Sequence, residues 1–142
     1  PRRGPEFVTR KITLSAAKIK LGLEQKLPLG NLDARQDWGY APDYVEAMWL
    51  MLEQDQPDDY TIASGELHSV RDICDIAFSH LGLSYQNFVT IDKTFFRPAE
   101  ANPPVGDFTQ ARKKLGWQPK TSFKDMIIKM VDHDLGQLEI RN

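Results

Sequence analysis

The stretch FFRPAE, residues 95 to 100, sets a guanidinium three residues before a carboxylate. Arg97 carries a planar fork of donors that matches the oxygens of a diphosphate two at a time, and Glu100 can accept hydrogen bonds from the vicinal hydroxyls of a sugar. Pro98 stiffens the backbone just after the arginine, and Phe95 and Phe96 are expected to anchor a strand before it. The same two charges could instead form a local ion pair on a loop, worth little if exposed; the residues alone leave the two readings level. A second group of cations, Arg2, Arg3, Arg10 and Lys11, stands around the expected start of a helix. The macrodipole is positive there and disfavours cations, so an anion is expected to join them, held by free backbone N–H groups and guanidiniums. The competing reading is that Arg2 and Arg3 are a solvated chain end.

The remaining reactive side chains read as structural. Cys74 is the single cysteine, which excludes an internal disulfide, and with no His or Cys at metal-ligand spacing it is expected to be a small buried hydrophobe. His68, His80 and His133 match no metal or triad spacing. Trp38, Trp49 and Trp117 are expected to pack in the core, since no basic and aromatic residues interleave around them as a base-stacking platform would require.

These residues must be positioned by a chain of 142 residues, 41% hydrophobic, enough to bury a core in one domain or in part of a larger one. A formal net charge of -2 gives no basic field for nucleic acid or an anionic membrane, and no apolar run reaches the ~20 residues of a membrane span. The opening Pro1-Arg2-Arg3-Gly4 has no initiating Met and is followed by no apolar stretch, so a piece of a longer chain is expected.

Apolar residues at helical spacing, Val8, Ile12, Ala16, Ile19 and Leu23, predict a helix over 7–24 that stops near Gly22. Residues 27 to 39 suit a hairpin or irregular loop. From Pro42 a run apolar nearly all round predicts a helix buried on most sides, followed by a short strand over 60–64. Ser69 and Asp72 form a capping-box pattern for a helix burying Val70, Ile73, Cys74, Ala77 and Leu81. Residues 87 to 96 are β-like; Asp107 with Gln110 is expected to cap a short helix to Leu115, and Ser122 with Asp125 a last one burying Phe123, Met126, Ile127, Met130 and Val131. The sum is an α/β chain of helices with few short strands.

The stretches PRRGPEFVTRKI, LGNLDARQDWGYAPDYVEAMWLML, DDYTIASGELHSVRD, FFRPAE and KKLGWQPKTSF, in that order, resemble the C-terminal part of the GDP-mannose 4,6-dehydratase family of extended short-chain dehydrogenases/reductases. The resemblance implies the substrate-binding part of an extended Rossmann-type fold over 1–142, with 42–64 contributing a helix and strand to the dinucleotide-fold domain. It implies a cytoplasmic homodimer or homotetramer, with no nucleic-acid or membrane partner. Such enzymes use NADP to oxidise C4 of the mannose, eliminate water across C5 and C6, and return the hydride to C6. By the same resemblance Arg3 contacts NADP, Val8 and Lys11 line the GDP site, and Arg97 and Glu100 hold diphosphate and ribose. Arg35-Gln36 stands where the family has Lys-Arg, so a neutral amide replaces an arginine expected at the phosphates. Tyr40 replaces a frequent His, a change expected to be neutral, and the stretch between Leu83 and Thr94 is shorter than in longer members.

The family's glycine-rich loop, its Ser/Thr and Glu, and its Tyr-x-x-x-Lys pair belong to the preceding half. None is in this sequence, and Tyr40, Tyr44, Tyr60 and Tyr85 have no lysine four residues on. No catalytic residue and no metal ligand is therefore assigned. Two other readings stay open at this point: another nucleotide-sugar epimerase, dehydratase or reductase of the superfamily, and a non-catalytic nucleotide-sugar-binding module.

Overall fold

The structure, a computed structural model, describes residues 1–96 and 103–141. In chain order the elements are α1 (Val8–Lys20), β1 (Leu27–Leu29), β2 (Arg35–Gln36), α2 (Ala41–Leu52), β3 (His68–Ser69), α3 (Val70–His80), β4 (Val89–Ile91), α4 (Thr109–Leu115) and α5 (Phe123–Arg141), with 3-10 turns at Tyr85–Asn87 and Lys93–Phe95. The chain forms two compact units, one from residues 1–34, 69–96 and 127–141, the other from 35–68 and 103–126.

In the first unit α1 packs on α3. Ile12, Ala16, Ala17 and Ile19 of α1 and Ile73, Cys74, Ala77 and Phe78 of α3 are buried, each large side chain contributing ~1.5–3 kcal/mol of apolar burial. Helix α1 ends at Lys20, short of the expected 24, because Gly22 takes a left-handed φ of 73°; Leu23 is thereby left exposed instead of on the apolar face. Of the hairpin or irregular loop expected over 27–39, no hairpin forms, and the chain between Leu29 and Arg35 is irregular. Leu27, Pro28 and Leu29 pair in parallel with Val89, Thr90 and Ile91, and a parallel pair needs a long crossover, not a turn. The β-like reading of 87–96 holds only for 89–91: Phe95 and Phe96 lie in and just after a 3-10 turn, half exposed, and anchor no strand.

Ser69 caps α3 as its pattern predicts. Its Oγ accepts from the Asp72 amide at 3.1 Å while its own amide donates to Asp72 Oδ2 at 2.7 Å. Farther along this unit, Ile127, Met130 and Val131 of α5 are buried as expected.

In the second unit β2 pairs with β3, and Ala47, Ala111, Leu115 and Trp117 form the core, with Tyr44, Tyr60, Ile62 and Phe108 packed around it. The buried Trp117 indole donates to the Asp43 carbonyl at 2.9 Å, so its polar edge is satisfied. Trp38 and His68 both stack on Phe123, at 5.9 and 3.8 Å between centroids. Ser122 Oγ accepts from the Asp125 amide at 3.1 Å, the expected cap of α5, whereas Asp107 accepts from the Thr109 amide at 2.8 Å and leaves Gln110 to Asp58.

Two expectations fail in this unit. Helix α2 is not buried on most sides: only Asp43 and Ala47 are, while Val45, Met48, Trp49 and Leu52 are 61%, 58%, 63% and 81% exposed. An apolar run marks residues that favour burial, but nothing among the described residues covers this face, so Trp49 is not a core residue. Residues 60–64 form no strand either; Tyr60 and Ile62 pack their side chains against the Trp117 core without a neighbouring ladder.

Candidate functional site

Lys11 belongs to the first turns of α1, three residues after Val8 and so on the same face of the helix. Its ammonium donates to the Pro28 carbonyl of β1 at 2.8 Å and lies 3.9 Å from the centre of the Phe95 ring. A backbone acceptor and a cation–π contact together hold a flexible stem in one place, with two N–H donors to spare. The chain closes tightly beside it. A Cβ added at Gly30, the residue after β1, would stand 2.5 Å from the Phe95 carbonyl oxygen, so only glycine admits this approach. Val8 is half-buried in the same turn.

Of the other cations near the start of α1, Arg3 stacks over Phe7 at 4.0 Å and is otherwise exposed. Arg10 does not await an anion. Its Nη2 sits 2.7 Å from Asp134 Oδ1, and Asp134 Oδ2 accepts from Thr13 Oγ1 at 2.8 Å. Asp134 lies 121 residues beyond Thr13 in the chain, so no local pattern could have revealed the partner. Burial pushes the Asp134 carboxyl above its ordinary value, opposed by the Thr13 hydrogen bond and by Arg10.

An open cavity of about 270 Å³ in this unit is lined by Gly30, Asn31, Leu32, Asp33, Arg71, Ile91 and Phe96. Its cation is committed: Arg71 donates from Nε and Nη2 to Asp33 Oδ1 at 3.1 and 2.8 Å, and from Nη1 to the Tyr85 hydroxyl at 3.3 Å. Cys74 is fully buried, and burial, the dominant influence, pushes its thiol up to about 12, so it behaves as the inert hydrophobe expected.

In the second unit Arg35 and Gln36 are the exposed residues of β2, and the side chain of neither is engaged in a hydrogen bond or ion pair among the described residues. Successive strand residues point to opposite faces, so one ligand would meet only one of them from a given face. The next residue, Asp37, was missed by sequence reasoning. Its Oδ1 accepts from the Ser64 amide at 3.0 Å and the Ser64 hydroxyl at 2.6 Å, and its Oδ2 from the Gly65 and Gly106 amides at 2.9 and 3.3 Å. Desolvation pushes this carboxyl up, but the hydrogen bonds from Ser64, Gly65 and Gly106 outweigh it and hold it below its ordinary value. Arg97 and Glu100 lie outside the described residues.

Comparison with known proteins finds relatives over nearly the whole of this chain. GDP-mannose 4,6 dehydratase 1 of Arabidopsis thaliana is 52% identical over 135 residues, covering 95% of this chain and 37% of its own length. The human GDP-mannose 4,6 dehydratase is 45% identical over 152 residues, 95% of this chain and 41% of that protein. The chain thus spans less than half the length of the curated relatives it matches. Among solved structures, RMD from Pseudomonas aeruginosa, complexed with NADPH, superposes with a TM-score of 0.86 at 19% identity, over 96% of this chain and 45% of that one. The fold is accordingly part of an extended Rossmann-type α/β fold. The sequence profile of the family described as GDP-mannose 4,6 dehydratase matches residues 1–130, which take in every residue singled out above as a ligand, and to that family the chain belongs.

Proposed function

We propose that the chain is the nucleotide-sugar-binding part of a GDP-mannose 4,6-dehydratase, which converts GDP-mannose to GDP-4-keto-6-deoxymannose. The observation that carries this reading is the family match over residues 1–130. Lys11, held by Pro28 and Phe95, and Val8 on the same helix face line the GDP site. Arg97 grips the diphosphate and Glu100 the ribose. Strand β2 brings one of Arg35 and Gln36, which point to opposite faces, to the phosphates: either Arg35 supplies the charge that Gln36 lacks, or the diphosphate is held more weakly. Arg3 fits the cofactor: with its guanidinium carbon over the Phe7 ring, it keeps N–H donors for a phosphate of NADP. NADP, when bound, takes the hydride from C4 and returns it to C6; the residues of this chain bind and orient, and the acid, base and elimination groups belong to the part of the relatives that this sequence does not span.

Residues 42–64 belong with the dinucleotide-binding half of the fold, and the uncovered apolar face of α2 supports that assignment. The enzyme is cytoplasmic and a homodimer or homotetramer; no helix among the described residues is long and apolar enough to cross a membrane.

The test is Arg97→Ala in the enzyme that carries both halves, assayed on GDP-mannose. The diphosphate is remote from C4, C5 and C6, so Arg97 binds ground state and transition state alike. The substitution is expected to raise KM more than it lowers kcat, with a loss of ~2–3 kcal/mol, roughly 30- to 150-fold in kcat/KM, and a nearly unchanged melting temperature. A near-normal KM defeats the assignment.

A further inference from the structure

We propose that Asp37 is a positioning residue for the nucleotide-sugar site, fixing the strand that bears Arg35 and Gln36 against Ser64–Gly65 and Gly106. The proposal rests on the functional reading above. The observation is that one half-buried carboxylate joins three backbone segments of the second unit, its own and two others from which it accepts four hydrogen bonds. Its own segment is β2 and the residue after it. The second is Ser64–Gly65, which gives two amides and a hydroxyl. The third is Gly106, nine residues after Arg97 in sequence.

A carboxylate is the group such a place requires, because all four partners are donors and an ionised carboxyl is acceptor-only at both oxygens. The segments meet without slack. A Cβ added at Gly106 would stand 2.0 Å from the Ala63 Cβ, and the left-handed Gly65 would meet the Phe108 ring at 3.0 Å. Asp37 touches no ligand in this account. It acts through its neighbour Gln36, setting where strand β2 stands against Ser64–Gly65 and Gly106. Misplacement of binding groups by about 1 Å is enough to lose ~100-fold in a positioned reaction, so an anchor one residue from Gln36 controls affinity without making a contact.

Asp43 supplies a matched control in the same unit. It is buried, and its carboxylate likewise caps backbone, accepting from the Lys120 and Thr121 amides at 3.0 and 2.8 Å and from the Thr121 hydroxyl at 3.3 Å. None of the segments it joins carries a residue assigned to the nucleotide.

The experiment titrates the 142-residue chain, as wild type, Asp37→Asn and Asp43→Asn, with GDP by calorimetry. In Asp37→Asn the amide keeps the shape but turns an N–H₂ toward donors. Affinity for GDP is expected to fall about tenfold in Asp37→Asn and less than twofold in Asp43→Asn. Equal affinity in wild type and Asp37→Asn overturns the proposal, as does an equal loss in both variants, which would mean general loosening of the unit. Wild type that binds no GDP overturns the functional reading itself, a result distinct from either. Should Asp37→Asn fail to fold, Ser64→Ala, which removes only the hydroxyl donor, is expected to weaken GDP binding about threefold, and no change there would overturn the proposal.

Discussion

Asp134 and Arg10 show how far one side chain's meaning depends on a partner the sequence does not disclose. Arg10 was grouped with the cations of the first turns, yet its charge is spent on a carboxylate buried to 1% exposure. Removing one member of a buried pair strands the other, so Asp134→Ala is expected to cost ~3–5 kcal/mol in a denaturant melt. Burial raises the folded-state value of the Asp134 carboxyl above its ordinary one. A raised value means protonation favours the folded state; that contribution is complete below the ordinary carboxylate range and is lost as pH rises through the raised value. Asp134→Asn, neutral and of the same shape, is therefore expected to cost less than half as much as Asp134→Ala at neutral pH. Equal costs for the two would mean that the charge, not the packing and the Thr13 bond, carries the stability.

At the scale of elements, what was legible was local. Ser69 and Asp72 lie within one turn, and so do Ser122 and Asp125; their geometry follows from adjacent residues and both caps formed. The β1–β4 pair joins Leu27 to Val89 across several intervening elements, so the turn chemistry of Gly30, Asn31 and Asp33, which suits a hairpin or an irregular loop, does not disclose so distant a partner. Helix α2 was misjudged for a different reason. Apolar residues at positions 45, 48, 49 and 52 fall on one face, which says that the face favours burial and not what buries it. In this chain by itself Trp49→Ser is expected to change the unfolding free energy by less than ~0.5 kcal/mol and to reduce binding of an apolar dye. A loss above ~2 kcal/mol would mean the indole is packed after all.

For the molecule as a whole, the site divides by how it became known. Val8, Lys11, Arg35, Gln36, Arg97, Glu100 and Arg3 came from motifs matched to a family, because no periodicity or spacing distinguishes a ligand lysine from a solvated one. The structure added what holds them: Pro28 and Phe95 for Lys11, Phe7 for Arg3 and the Asp37 clamp behind Gln36. None of these supports is adjacent in sequence to the group it fixes except Asp37, whose carboxylate gave no signal because its donors, three backbone amides and the Ser64 hydroxyl, are distant in sequence. The central claim, that this chain carries the GDP-binding surface of a GDP-mannose 4,6-dehydratase, is tested most directly by titrating the wild-type chain with GDP in a calorimeter. Saturable one-to-one binding in the micromolar to low millimolar range, ~4–8 kcal/mol, is expected, abolished by excess GDP-mannose as competitor. Absence of saturable binding at millimolar GDP, or binding that GDP-mannose leaves untouched, would contradict it.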